Sequence, residues 1–414
     1  MTERLTTRPT DPATDQAAAA ALLTAGAIRP RCALVMAEAE AGRLAHFAYH
    51  PERLDDAADF VVETIRTRYP DLVVPYHSRW RHFESGGIDR WRVPSARFAD
   101  PAERARASFD LAIVSVLLDA GAGDGWRYRE SATGLALARS EGLAVASFHM
   151  MADGAFGAPW RADADALATL DAAALVRGFQ VTADNPLVGL DGRVALLRRL
   201  GAVMAQNPAT FGAPGRVGRL FDHLAGQASG GRLPAARVLE TVLRALGPIW
   251  PSRLSLGGVA LGDVWRHPAV RAPDASDGLV PFHKLSQWLT YSLLEPLEAA
   301  GLTVTELDAL TGLPEYRNGG LLLDLGALTP KDPALPKRPL SAGDEPIVEW
   351  RALTVILLDR LAERVRARLD LDAASFPLAK VLEGGSWAAG RRIAAERRPG
   401  GGPPLTIVSD GTVF

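Results

Sequence analysis

The segment LTGLPEYRNGGLLLDLG, residues 310–326, sets an acid and an arginine two positions apart, between glycines, in an otherwise apolar run. Burying Glu315 and Arg317 costs free energy unless their charges are paired or put to use. The pair therefore reads in two ways. It is an ion pair joining two helices, or it is a carboxylate reserved for acid–base or charge-stabilising work beside Tyr316. A second Glu-x-Arg triplet, Glu349 and Arg351 in VEWRALTV, opens another apolar helix. The two triplets suggest a polar cluster inside the fold.

Two further stretches carry polar groups at useful spacing. In FHKLSQWLTYSLLEPLEAAG, Leu285, Trp288, Leu289 and Leu293 form a core face, while Lys284, Gln287, Tyr291 and Glu295 share another. That second stripe is either a solvated face or the polar wall of a ligand site. PYHSRWRHFESGGIDRW, residues 75–91, interleaves His, Arg and Trp. Such a run can stack on and hydrogen-bond a heterocycle or sugar, or can pack as an ordered surface loop.

Mostly helical elements must position these groups. The segment 51–70 puts Leu54, Ala58, Val61, Val62 and Ile65 on one face, with a proline at each end, and residues 101–123 pass from polar to continuously apolar before glycines stop them. Further helices are predicted at 191–206, 233–247, 282–300, 346–369 and 386–397. A Thr-x-x-Glu capping box is predicted at Thr303 and Glu306, or one turn shifted at Thr305, leading into a short helix that breaks at Gly312. Alternation around a Thr-Gly turn predicts a hairpin in WRYRESATGLALARSEG, and residues 329–346 read as a proline-rich loop. The expectation is a mainly α fold: a flexible segment over residues 1–18, then one helical domain over 19–414, single-lobed or bilobed, with a small β element.

Composition narrows the function. The 414 residues are 48% hydrophobic and 23% charged, with a formal net charge of −2. That balance argues against nucleic acid or an anionic membrane as partner. Cys32 is the single cysteine, which excludes an intrachain disulfide and a cysteine-based metal site, and its helical apolar setting reads as a buried structural thiol. GxxxxGK[ST], GxSxG and HExxH are all absent. GAGDG after Asp119 lacks the spacing and the preceding strand of a dinucleotide fingerprint. His77 and His82, five apart, do not align on a helix, leaving only a loop metal site open. No metal and no cofactor are expected. The N-terminus has no signal-peptide core, and no stretch approaches the roughly 18 apolar residues of a membrane span, so a soluble cytoplasmic protein is expected.

Several of these segments are familiar together. PYHSRWRHFESGGIDRW, RASFDLAIVSVLLDAGAG, LGPIWPSRLSLGGVALGDVWRH, GLVPFHKLSQWLTYSLLEPLE, GLPEYRNGGLLLD, VEWRALTV and LEGGSWAAGRRIA closely resemble the uracil-catabolism protein 4 family, also called domain of unknown function 1688. The match runs from about residue 20 to Phe414, through the closing PPLTIVSDGTVF. It implies a part in a pyrimidine-breakdown route that ends in release of urea.

A more distant resemblance implies a chemistry. Queuosine-salvage nucleotide N-glycosidases, of DNA-glycosylase-like helical fold, carry similar motifs in the same chain order. HFESGGIDRW is similar to their His-Phe-x-Asp-Gly stretch at His82 and Phe83, and VSVLLDAGAG to their Leu-Asp-Ala-Leu run at Asp119. FHKLSQWL is similar to their Tyr-Lys-Arg-Ala-Gln helix at Lys284 and Gln287, and VEWR to their Val-Glu-Ile-Arg at Glu349 and Arg351. LTGLPEYRNGG resembles their Leu-Thr-x-Phe-Ala-Asp-Tyr-Arg segment, with Tyr316 and Arg317 matching and Glu315 in place of the catalytic aspartate. The extra methylene shifts the carboxylate by about 1.5 Å.

The resemblance implies an N-glycoside hydrolase with Glu315 as catalytic carboxylate. Asp119 or Glu349 would assist the leaving group, and Arg317 or Lys284 would hold Glu315 ionised. His82, Phe83, Gln287, Tyr316 and Arg351 complete the binding set. Lys284 or an arginine within 79–92 would take a 5′-phosphate. The expected partner is a small nucleoside- or nucleotide-like substrate, a ribosylurea above all, and the sequence sets no oligomeric state. Another N-ribosyl compound, or a non-catalytic ligand-binding role in the pathway, are the alternatives.

Overall fold

The computed structural model describes residues 12–123, 125–250 and 253–408. Its principal helices, in chain order, are α1 (Pro12–Leu22), α2 (Ala25–Glu40), α3 (Arg53–Arg68), α4 (Arg79–Phe83), α5 (Pro101–Leu117), α6 (Arg139–Ala152), α7 (Leu190–Gln206), α8 (Ala235–Leu246), α9 (Lys284–Ala299), α10 (Tyr316–Asp324), α11 (Glu345–Leu369) and α12 (Trp387–Arg397). The fold is mainly α, and the strands among the described residues form six separate two-stranded ladders. The hairpin expected around Thr133-Gly134 is one of them, with Tyr128 opposite Leu137.

Local sequence accounts for the site-bearing helices. Asp100 caps α5 by accepting from the Ala102 N–H at 2.9 Å, Pro101 supplies the first helical φ, and Phe109 to Leu117 is buried without a break. In α3, Leu54, Ala58, Val61 and Ile65 face the core as their spacing predicts, while Val62 is half-buried. α11 has ten consecutive buried residues, Pro346 to Val355, so it is the central helix and packs on α2 and α3. One contiguous core runs from Ala25 to Leu405, beside a satellite of Ala19, Leu22, Leu261, Val264 and Leu279.

Three expectations are corrected. Residues 12–18 are not a flexible leader but part of α1, whose Ala18, Ala19 and Leu22 are buried; residues 1–11 lie outside the described residues. Thr303–Thr305 is a strand paired in parallel with Arg232–Pro234, so Thr303 and Glu306 form no capping box; only the 3-10 turn Leu307–Ala309 follows. The proline-rich segment 329–346 is laced by strands, Leu328–Pro330 against Phe47–Tyr49 and Leu340–Ser341 against Ile407–Val408. Among the described residues no single helix is long and apolar enough to cross a membrane; α1 and α2 reach that length only together, across an 86° bend.

Candidate active site

A cavity of about 750 Å³ opens where α9, α10, α12 and the loops after α5 and α12 meet. Its lining includes Glu315, Asp119, Lys284, Tyr316, Arg317 and His82, and also His77, Trp288, Trp387, Arg127, Arg139 and Gly400–Gly402.

Glu315 is the N-cap of α10. Its extended backbone follows Pro314, and its two carboxylate oxygens accept separately from the chain, Oε2 from the Arg317 N–H at 2.8 Å and Oε1 from the Asn318 N–H at 2.6 Å. Charge-assisted bonds of this kind, at a helix N-terminus where negative charge is favoured, fix the carboxylate in one orientation. The glycines that drew attention to this segment let α10 sit close to its neighbours. A Cβ on Gly319 would stand 2.6 Å from the Trp350 ring, and one on Gly390 in α12 would run into the Arg317 carbonyl oxygen. Arg317 itself makes no ion pair with Glu315. Its Nη1 donates to the Gly401 carbonyl at 2.7 Å, and its guanidinium lies 4.7 Å from the Tyr316 ring centre, so it ties the C-terminal loop over the cavity.

Asp119 lies just beyond the end of α5 and pairs with the fully buried Arg79 of α4 at 3.0 Å. Burial opposes its ionisation, but Arg79, His82 and a hydrogen bond from Ser140 outweigh it and hold its pKa below the ordinary carboxylate value. Asp119 is thus a charge in this cavity rather than a proton donor. Its loop is braced from behind by buried Arg193, which donates to the carbonyls of Leu118 at 3.0 Å and Ala120 at 2.8 Å. His82 Nδ1 meets Arg79 Nη1 at 3.2 Å, and since a guanidinium only donates, the neutral ring carries its proton on Nε2. Burial, then Arg79, pushes its pKa down to about 4. Burial also lowers the pKa of Lys284, while attraction to Glu315 and Asp119 works the other way.

Phe83, Gln287, Glu349 and Arg351, read as substrate contacts, lie off the cavity. Phe83 is buried against Trp80 and Phe148. Gln287 clamps Thr311, donating to its Oγ1 at 2.7 Å and accepting from its N–H at 2.8 Å, and Tyr291 donates to the Thr311 carbonyl at 2.9 Å. The polar stripe of α9 is therefore split: Lys284 lines the cavity, Gln287 and Tyr291 form a seam that holds the segment leading to Glu315, and Glu295 bonds Ser78 and Arg81. Glu349 accepts from the Phe47 N–H at 2.8 Å and faces His267 Nε2 at 3.6 Å. Arg351 makes a bidentate pair with Asp263, both bonds 2.8 Å, and its Nε reaches the Pro314 carbonyl at 3.3 Å. The two Glu-x-Arg triplets form no single cluster.

Three of the four arginines of 79–92 are likewise committed. Arg79 holds Asp119, Arg81 pairs with Glu295 at 2.7 Å, Arg90 grips Glu130 at 2.6 Å, and Arg92 is exposed. The cations at the cavity are Lys284, Arg127, Arg139 and Arg317 instead. His77 and His82 each spend Nδ1 on a protein partner, Glu383 at 2.8 Å and Arg79 at 3.2 Å. The one group with metal-ligand spacing among the described residues is His46, Glu345 and Glu349, set apart from the cavity; there His46 Nε2 already bonds Glu345 at 3.2 Å.

The fold and this cavity define a mainly helical protein with a concave, part-apolar pocket where two carboxylates, a lysine and five aromatic or imidazole rings converge, features shared by small-molecule sites in general. Residues 21–414 match the family described as "Protein of unknown function (DUF1688)", and the chain belongs to that family. It is 41% identical to Protein urg3 of Schizosaccharomyces pombe over 409 residues, covering 95% of this chain and 98% of that protein. It is also 40% identical to Uracil catabolism protein 4 of Lachancea kluyveri over 411 residues, covering 89% and 92% respectively.

Proposed function

We propose that this protein is an N-glycoside hydrolase of uracil catabolism that cleaves a ribosylurea-type compound, free or 5′-phosphorylated, to urea and a pentose. The pathway follows from the name of the Lachancea relative, and the reaction class from the motifs shared with queuosine-salvage N-glycosidases. The observation that carries the reading is the placement of Glu315: a carboxylate locked by two backbone N–H groups at the start of α10 and turned to a cavity it shares with Lys284 and Asp119. N-glycoside cleavage builds positive charge on the sugar ring, so a fixed carboxylate beside C1 stabilises the transition state and can take a proton from the attacking water. Asp119, kept charged by Arg79, adds to the negative field and orients sugar hydroxyls. Lys284 is in electrostatic reach of both carboxylates, so it balances the site's charge. The substrate is soluble and small; no nucleic acid, membrane or bound cofactor enters the reaction, and the protein works in the cytoplasm.

Incubation with synthetic ribosylurea and its 5′-phosphate, read as urea and pentose release, tests the reading. Release from either substrate is expected; none from both sinks it. A second reading has its own support: 750 Å³ and a wall formed by His77, His82, Trp288 and Trp387 exceed what a urea group needs and suit a stacked heterocycle. A panel of N-ribosyl nucleosides and nucleotides in the same assay separates the two.

Phosphate recognition falls to Arg139, at the N-terminus of α6, whose Nη2 also donates to the Gly400 carbonyl at 3.0 Å. Replacing Arg139 with alanine is expected to raise KM for the phosphorylated substrate by about tenfold or more while changing that for the free riboside about twofold at most. Equal effects on both would assign Arg139 to the loop alone.

A further inference from the structure

His77 is the one cavity imidazole with a carboxylate behind it. Its Nδ1 lies 2.8 Å from Glu383 Oε2, and both side chains are about 4% exposed. Glu383 sits in a π-helical turn, Val381–Ser386, a rare geometry that recurs at functional sites. Gly384 and Gly385 let this turn press on α3, since a Cβ on Gly385 would stand 2.6 Å from a Val61 methyl carbon. The carboxylate is steadied further by Arg68, 3.4 Å away, and by the Tyr69 hydroxyl at 3.5 Å. The His77 ring is held between Trp288 and Trp387, with centroids at 4.7 and 5.4 Å. The acceptor at Nδ1 fixes the tautomer, and Nε2, with no protein partner among the described residues, is left to the cavity that His77 lines.

Three other cavity groups are poorly set up as proton donors. Asp119 is held as a charge by Arg79. Burial, and then that same guanidinium, keeps the His82 ring neutral. Burial raises the pKa of the Tyr316 hydroxyl. A carboxylate-backed imidazole, by contrast, is the arrangement in which an imidazolium is stabilised and oriented for proton transfer.

We propose that His77, positioned by Glu383, is the general acid that protonates the departing nitrogen; this rests on the hydrolase reading above. As the C1–N bond breaks, its electron pair goes to nitrogen and the His77 Nε2 proton follows. The water oxygen bonds to C1, and Glu315 takes the water's proton, which returns to His77 through solvent. The sum is one water added across one C–N bond.

The test compares ribosylurea, which needs protonation to leave, with 4-nitrophenyl riboside, whose phenolate leaves unaided, each also as its 5-phosphate. His77→Asn is expected to lose about 10²–10³-fold in kcat on the urea compound and less than about fivefold on the aryl glycoside. Glu383→Gln should show the same selective loss at about 10–30-fold, with Glu383→Asp partly restored, a pattern a packing defect would not give. Equal losses on both substrates, or none on either, overturn the assignment while leaving the hydrolase in place. A wild type that cleaves neither class overturns both. Where the aryl glycoside does not fit the cavity, added imidazole decides the matter on His77→Gly: recovered urea release supports the acid role and no recovery refutes it.

Discussion

Replacing Glu315 with glutamine is expected to lower urea release by at least about a thousandfold, or about 4 kcal/mol of transition-state stabilisation, while the protein stays folded. The amide matches the carboxylate in shape but brings no charge to a developing oxocarbenium ion and accepts no proton from water. The structure sets the cost to folding. Glu315 accepts from two backbone N–H groups, and glutamine keeps one carbonyl oxygen for them, so about one capping bond is lost, worth about 1 kcal/mol. Catalysis and stability should thus separate by orders of magnitude. Glu315→Asp gives a second bearing on the geometry. Aspartate is a good N-cap and keeps the charge, but its carboxylate stands about 1.5 Å short. Its activity should fall between wild type and the glutamine variant if placement at C1 is what matters. Urea and pentose release for the three proteins, beside their denaturation midpoints, checks this. A Glu315→Gln protein that turns over at the wild-type rate would make Glu315 a helix cap and nothing more.

Periodicity and composition revealed the helices and the odd buried charges, because both are local properties. They did not reveal what those charges face. The Lys284–Gln287–Tyr291–Glu295 stripe is real, but Lys284 faces the cavity while the other three meet Thr311 and Ser78, tens to hundreds of residues away. A helical wheel gives a face and not its neighbour. Glu349 and Glu315 look alike in sequence, each two residues before an arginine, yet one caps a strand and the other lines the cavity, a difference set wholly by tertiary packing. His77 was within sight in a His/Arg/Trp-rich run, but its meaning depends on Glu383, 306 residues later. The sign that was legible there was LEGGSW, an acid followed by paired glycines at the edge of a helix, where close approach is the usual reason for glycine.

Asp263, which no motif singled out, should prove nearly as costly to lose as Glu315, for a different reason. Its Oδ1 accepts from Trp265 Nε1 at 2.6 Å and Arg351 Nη1 at 2.8 Å; its Oδ2 accepts from Arg351 Nη2 at 2.8 Å and the Lys284 N–H at 2.9 Å. One carboxylate thereby anchors the start of α9, which carries Lys284, and the arginine that reaches the Pro314 carbonyl just before Glu315. Asp263→Ala leaves the fully buried Arg351 guanidinium without its counter-charge, and the expected loss is about 3–5 kcal/mol of folding stability. Replacing both members of such a pair with apolar residues of similar volume is often close to neutral. The double variant Asp263→Leu/Arg351→Met is therefore expected to regain most of that stability but little activity, because the start of α9 and the Pro314 turn both lose their anchor. Acidification gives an independent check. Burial opposes the charge on Asp263, but Arg351 and the Lys284 N–H outweigh it and hold its pKa well below the usual carboxylate range. A pKa depressed on folding contributes stability in full above the ordinary value of about 4, and that contribution is lost as pH falls from there through the lower folded value. Denaturant midpoints taken across that window should fall more steeply for wild type than for the double variant. Equal slopes, or a single variant as stable as wild type, would show that the pair does not hold the two site-bearing segments together.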